Sequence, residues 1–310
     1  MSRGRRERRG ALPAGMLPLH KPVGLSSNDA LQKLRRSFGI GSAGHDGTLD
    51  PFAEGVLCCY LEEATKLIPF LEEAEKEYEA LALIGTDTDS FDRTGNVLYE
   101  DREAVVAPER LAEVLPRFLG DIRQRPPSFS ALKVDGVRLY TLARRGTLVE
   151  APERTVRIHQ LTVLEQQPRQ VRFLVRCGKG TYLRTLCRDL LLACGVPSHL
   201  GELVRRRNGP CELSSCLPFG EVLRGDREAL LQRLIPLDRI LAHLPQCVVG
   251  PVVRQFLSRG EQGRWLEGGI EVSALPEGLL CFRGEDGALL AVMEKTAADG
   301  LRIRRVLGES

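Results

Sequence analysis

Gly44-His45-Asp46-Gly47-Thr48-Leu49-Asp50-Pro51-Phe52-Ala53-Glu54-Gly55 is the stretch on which the reading of this chain turns. Its three glycines let the backbone bend and approach a ligand closely. Pro51 biases Asp50 away from the helical region, so the carboxylate sits on extended or turning backbone. A stiff, apolar-flanked aspartate just before proline is a reasonable place for a nucleophile or a base. Asp-Pro is also a common turn dipeptide, and spacing alone leaves both readings open.

Upstream, residues 1–15 are rich in Arg, Gly and Pro and read as a disordered basic tail. Residues 15–27 then read as a short strand followed by a turn. Ser27 or Asn28 is expected to cap a helix running through Ala30, Leu31, Leu34 and Phe38. Downstream, Ala64, Leu67, Ile68 and Leu71 have helical spacing within residues 62–74, with Pro69 placed to break or kink it. Tyr78 opens a nearly all-apolar stretch expected to be a buried strand. Residues 86–96, dense in Thr, Asp and Gly, read as a loop, and 108–118 as a helix. Residues 171–177 alternate as a strand, Gly178-Lys179-Gly180 turns the chain, and 181–193 read as a helix. Residues 236–251 look like the boundary to a smaller β-like unit, with short runs at 252–256, 268–272, 279–283 and 289–292.

The chain has 310 residues, 43% hydrophobic and 27% charged, which is ordinary for a soluble protein with a sizeable core. No apolar run is long enough for a membrane span, and the basic N-terminus lacks the apolar stretch of a secretory signal. Nine cysteines without a CxxC pair, and five histidines without ligand spacing, suggest neither a disulfide framework nor a metal site. Reduced thiols in a cytoplasmic protein are the simplest account. The net charge of +3 is small, but arginines cluster at the N-terminus and at 35–36, 144–145, 205–207 and 304–305. Arginine suits phosphate because its planar fork donates two hydrogen bonds at once. For any single cluster, a solvated surface is the commoner meaning.

Two further segments could carry chemistry. In Lys179-Gly180-Thr181-Tyr182-Leu183-Arg184 a strand ends, glycine turns and a helix begins with an aromatic and a cation. Arg184 and Arg188 share a helix face at i, i+4, and one could hold a carboxylate by two hydrogen bonds. Tyr78, after Lys76-Glu77, could stack on a base at the mouth of a strand. Taken singly, Arg184 reads as a helix-surface charge and both tyrosines as packed side chains.

Together these segments resemble one family. Lys21-Pro22-x-Gly24-x-Ser26, Gly44-His45-x-Gly47-Thr48-Leu49-Asp50-Pro51, Lys76-x-Tyr78 and Gly180-Thr181-Tyr182-x-Arg184 are similar to motifs of the TruB family of pseudouridine synthases, in that family's order. The resemblance covers roughly residues 16–230. It implies an α+β fold: a pseudouridine synthase catalytic domain over 16–240, with a mixed, largely antiparallel sheet flanked by helices. Residues 245–310 would be a small β-rich domain of the PUA kind. Residues 126–146, within a 121–150 insertion, look like the RNA-gripping segment of stand-alone bacterial members.

By the same resemblance, Asp50 is the nucleophile and Arg184 keeps it ionised and aimed. His45 displaces the target base, and Tyr78 stacks on it and is a candidate general base. Tyr182 and Leu203 bound the pocket, while Lys21, Lys133 and the arginine clusters grip phosphates. The implied partner is tRNA, at uridine 55 of the T-loop, acted on by a monomer with no cofactor, metal, membrane or guide RNA. Two positions depart from the pattern: His20 stands where Asp is usual, and Asp46 where a small or hydroxylic residue is usual. The rivals are a tRNA-folding factor, a guide-dependent synthase, and a hydrolase using Asp46 and Asp50, which leaves the Lys179–Arg184 segment unexplained.

Overall fold

The computed structural model describes residues 12–71, 74–127, 133–134, 137–138, 151–298 and 300–308. Along the chain come β1 (Gly15–Lys21), α1 (Ser27–Phe38), β2 (Ala43–His45), β3 (Glu54–Leu61), β4 (Lys76–Ile84), β5 (Thr86–Thr88) and β6 (Val97–Glu100). Next are α2 (Pro108–Val114), β7 (Gly120–Gln124), β8 (Lys133–Val134), β9 (Val137–Arg138), β10 (Arg154–Gln167), β11 (Gln170–Cys177), α3 (Leu183–Ala193) and β12 (Ser198–Asn208). Short elements follow: β13 (Cys211–Glu212), β14 (Leu217–Pro218), α4 (Phe219–Arg224), α5 (Arg227–Arg233), β15 (Ile235–Pro236) and α6 (Leu237–Ile240). The chain ends in β16 (Gln246–Val249), α7 (Pro251–Arg259), β17 (Gly278–Gly284), β18 (Leu289–Thr296) and β19 (Gly300–Val306).

The large sheet runs β14-β1-β3-β12-β4-β11-β10-β7. It is mixed and largely antiparallel, with parallel pairing at β1–β14 and β3–β12. Strand β4 lies near its centre, between β11 and β12. Successive strand residues face opposite sides, so Tyr78, Ala80 and Ala82 join one core with Phe173, Val175, Leu203 and the apolar side of α3. Glu77 and Glu79 fall on the other face. A second core joins α1 to β1 and β3.

A separate four-stranded sheet, β16-β17-β18-β19, forms the C-terminal unit. It is tied to the rest by a shared apolar cluster in which Leu67, Phe70 and Leu241 meet Cys281, Leu289, Val292 and Leu307. The nine cysteines are free. No helix among the described residues is long and apolar enough to cross a membrane.

Several local expectations are corrected. Residues 252–256 are helical, not a strand: Pro251 sits at the first helical position, Gly260 closes the helix in the left-handed conformation, and Val253, Phe256 and Leu257 bury one face. Residues 268–272 lie between two 3₁₀ turns rather than in a strand. Within the 62–74 segment, Glu62–Phe70 is a 3₁₀ helix that accommodates Pro69. Residues 86–96 are partly a hairpin strand, β5, paired with β6. Helix α1 is capped by Ser26, whose hydroxyl accepts from the Asp29 N–H. Of the residues 1–15 expected as a tail, Leu12 packs into the core because it is apolar; residues 1–11 lie outside the described residues.

Candidate active site

The Leu49-Asp50-Pro51 turn is bracketed by the segment that opens α1. The Ser27 hydroxyl donates to the Leu49 carbonyl at 3.0 Å and accepts from the Leu49 N–H at 2.8 Å. The Gly24 N–H donates to the Pro51 carbonyl at 2.8 Å, and Gly24 has φ of 89°, which only glycine adopts freely. The first motif therefore builds the backbone on which Asp50 stands.

Helix α3 supplies the partner. Arg184, in its first turn, is 3% exposed and grips Asp50 with two nitrogens: Nε lies 2.9 Å from Oδ2 and Nη2 donates to Oδ1 at 3.2 Å. Its third nitrogen donates to the Ser90 carbonyl at 3.0 Å and to Asp92 Oδ2 at 3.4 Å. Asp92 is itself buried and accepts from the Ser90 hydroxyl and from the Thr94 N–H, each at 2.9 Å. The guanidinium is thus fixed between two carboxylates, of which Asp50 is part-exposed and Asp92 buried. Burial pushes the Asp50 pKa up, Arg184 pulls it back, and Asp92 adds to the rise.

The start of α3 is fixed by β7. The Gln124 side-chain amide, 2% exposed, donates to the Tyr182 carbonyl at 3.0 Å and accepts from the Tyr182 N–H at 2.7 Å. The half-buried Tyr182 ring lies under Arg154, whose guanidinium carbon is 4.7 Å from the ring centre. Tyr78 on β4 is buried and faces Arg205 of β12 in register. Burial raises its pKa, with Arg205 opposing. A phenol so placed resists losing its proton. Leu203, two residues before Arg205, is buried beside Tyr78 in the same core.

His45 ends β2, and its Nδ1 is buried with no hydrogen-bond partner among the described residues. Burial lowers its pKa, Asp46 opposes and Arg205 adds to the lowering. Its surroundings therefore favour the neutral ring. Lys21 does not take the phosphate-gripping place expected of it. It is fully buried and donates to the carbonyls of Pro22 at 2.9 Å and Leu25 at 2.6 Å, and burial brings its pKa down to about 8. Arg205 likewise leaves the surface cluster it was read with: it is 1% exposed. Lys133 lies in β8, paired with β9; its side chain and most of the 121–150 insertion lie outside the described residues.

Sequence reasoning missed Asp92 and Gln124. Asp92 lies in a segment whose Thr, Asp and Gly content signals only a loop, and nothing local marks its carboxylate as buried. The two departures find partners: His20 Nε2 lies 3.5 Å from Glu54, and Asp46 is held by Asn208. No group of three metal-ligating side chains gathers among the described residues.

The arrangement is a carboxylate aimed by a buried arginine, near the buried Tyr78 of a central strand in the mixed sheet. The model of the TruB family pseudouridylate synthase N-terminal domain matches residues 35–183. The tRNA pseudouridine synthase B of Bacillus licheniformis is 39% identical over 256 residues, covering 79% of this chain and 82% of that protein. Its namesake in Pseudomonas paraeruginosa is 40% identical over 300 residues, covering 95% and 96%. A solved structure titled as an H/ACA RNP bound to a substrate RNA containing 2'-deoxyuridine shares the fold, with a TM-score of 0.68 at 23% identity, covering 95% of this chain and 85% of that one. The chain belongs to the TruB family of pseudouridine synthases. The separate C-terminal sheet agrees with the small β-rich unit expected there.

Proposed function

We propose that this protein isomerises uridine 55 in the T-loop of tRNA to pseudouridine, as a cytoplasmic monomer without a guide RNA. The reaction breaks the C1′–N1 bond and forms a C1′–C5 bond. A proton leaves C5 and one is taken up at N1, so substrate and product are isomers and no redox partner is called for. A nucleophile must hold one fragment while the uracil turns. Asp50 is that nucleophile.

The observation that carries the reading is the two-nitrogen grip of buried Arg184 on Asp50. An opposite charge at this distance favours the ionised carboxylate, and the fixed fork aims it. The relatives named for tRNA modification, aligned over nearly the whole chain, support tRNA as the substrate. The target base must leave its stack, at a cost of a few kcal/mol. His45 fills the gap, Tyr78 stacks on the extruded uracil, and Leu203 and Tyr182 bound the pocket. Lys133 and the exposed arginines meet phosphates, so affinity falls as salt rises.

The test is incubation with an unmodified tRNA transcript, without guide RNA, followed by mapping of pseudouridine. Wild-type protein should modify position 55. Asp50→Asn should lower the rate by about 10⁴-fold with tRNA binding largely intact. Substantial turnover by that variant would sink the nucleophile assignment.

A further inference from the structure

Asp46 and Gly47, the two residues between the base-displacing His45 and Thr48, are each held by a side chain from the same strand. The Asn208 amide donates to Asp46 Oδ1 at 3.1 Å and Oδ2 at 3.2 Å. Arg205 donates from Nη2 to the Gly47 carbonyl at 3.0 Å, and from Nε to the Val56 carbonyl at 2.6 Å. Both β12 side chains are 1% exposed. In a regular strand, residues three apart face opposite sides. Here the β12–β4 register shifts between Arg205 and Arg207, and that bulge turns Asn208 to the same side as Arg205. Arg206, between them, faces out to Glu79.

Backbone packing secures the arrangement. Gly55 of β3 has φ of 117°, and a Cβ there would come within 2.3 Å of the Arg205 carbonyl oxygen. On the other side, Lys76 packs against Gly47: a Cβ on Gly47 would lie 3.3 Å from Lys76 Cε. Asp46 therefore does not present a loose charge to a passing phosphate. It is a handle, and the strand holds it.

We propose that Arg205 and Asn208 are positioning residues, a clamp on Asp46 and Gly47 that presets His45 for displacing the target base. The inference rests on the role given to His45 above. A preset wedge avoids ordering the loop at the moment of base extrusion, so the clamp speeds the step that follows binding rather than binding itself.

The test is a role reversal at Asp46 and Asn208. Asn208→Asp removes the donor and sets two carboxylates against each other. Asp46→Asn in the same chain restores an amide–carboxylate pair with donor and acceptor exchanged. Single-turnover rate and tRNA affinity are measured on a T-arm stem-loop for wild type, the single variant and the double variant. Asn208→Asp should slow the single-turnover rate about tenfold or more, with affinity changed less than about threefold. The double variant should recover most of that rate. If Asn208→Asp does not fold, Asn208→Ser, which deletes the donor without adding charge, takes its place, with the same loss expected.

An Asn208 variant as fast as wild type, or a double variant as slow as the single one, overturns the clamp. Equal losses in rate and affinity overturn it too, because they would make this a phosphate-binding element. Wild-type protein inactive on the stem-loop would instead bring down the proposed function and the clamp with it.

Discussion

The two faces of the central sheet use the same residue types to opposite ends. On the face covered by α3, Tyr78, Ala80, Val175 and Leu203 belong to the apolar core beside Arg184, which pairs with both Asp50 and Asp92. On the reverse face, Glu79 meets Arg172 at 3.0 Å and also Arg206, while Arg172 reaches Glu202 at 3.2 Å. Arg206 is 46% exposed there, against 3% for Arg184. Exposed pairs are screened and typically contribute at most about 1 kcal/mol. A buried pair is costly to desolvate, yet breaking it strands a charge and costs about 3–5 kcal/mol. The reverse face is thus a partly solvated lattice, whereas the covered face gathers two carboxylates on one buried guanidinium.

The carboxylates of the two faces titrate in opposite directions. Asp50 is raised, chiefly by burial. Glu79 is lowered, chiefly by its hydrogen bond from Arg206. The native state therefore binds the Asp50 proton more tightly than the unfolded chain does. That group favours the fold below its ordinary pKa, and the contribution is lost as pH rises through the raised value. Glu79 does the reverse: its contribution is present above the ordinary glutamate pKa and is lost as pH falls through the lowered one.

The sharpest way to break the contrast is to remove Arg184. Arg184→Met should cut the single-turnover rate by about a thousandfold, far more than affinity, and destabilise the fold by about 3 kcal/mol, because Asp50 and Asp92 lose their shared cation. Equal losses of rate and affinity would make Arg184 a phosphate contact. Asp92→Asn keeps the shape but weakens the third anchor of the guanidinium, and should slow the reaction about tenfold with tRNA affinity unchanged. A wild-type rate in single-turnover assays would show that Asp50 and the Ser90 carbonyl suffice to fix Arg184.

A third effect is a shift rather than a loss. The rate should fall in acid through an apparent pKa above the 3.8 of an ordinary aspartate, as Asp50 takes up its proton. In Arg184→Met, which lacks the group that opposes the rise, the acid limb of the residual activity should move to still higher pH. An unmoved limb in the pH–rate profile would assign it to another group. The smallest effect belongs to the reverse face. Arg206→Ala should change stability by under about 1 kcal/mol in chemical denaturation and leave the single-turnover rate unchanged.

Local chemistry made part of the site readable. Pro51 after Asp50 and the glycines around it signal a special backbone, Gly180 before α3 marks a helix start, and the apolar run after Tyr78 marks a central strand. Each depends on neighbours in sequence. Asp92, Gln124 and the clamp from β12 do not, since Gln124 reaches Tyr182 across 58 positions and Asn208 reaches Asp46 across 162. The same limit explains residues 252–256, where a short apolar run suits a strand or a helix and burial of one face decided for the helix.

The sequence by itself determined which groups could react and in what order they stand, because residue type, proline and glycine act through bonds a few atoms away. Tertiary structure alone decided which charges are buried. Lys21 and Arg205 read as surface cations and turn out to be interior hydrogen-bond donors, while Arg184 became the buried partner of Asp50. Burial depends on what packs against a side chain from distant strands, and it is burial that separates the ion pair proposed to do chemistry from those that merely face water.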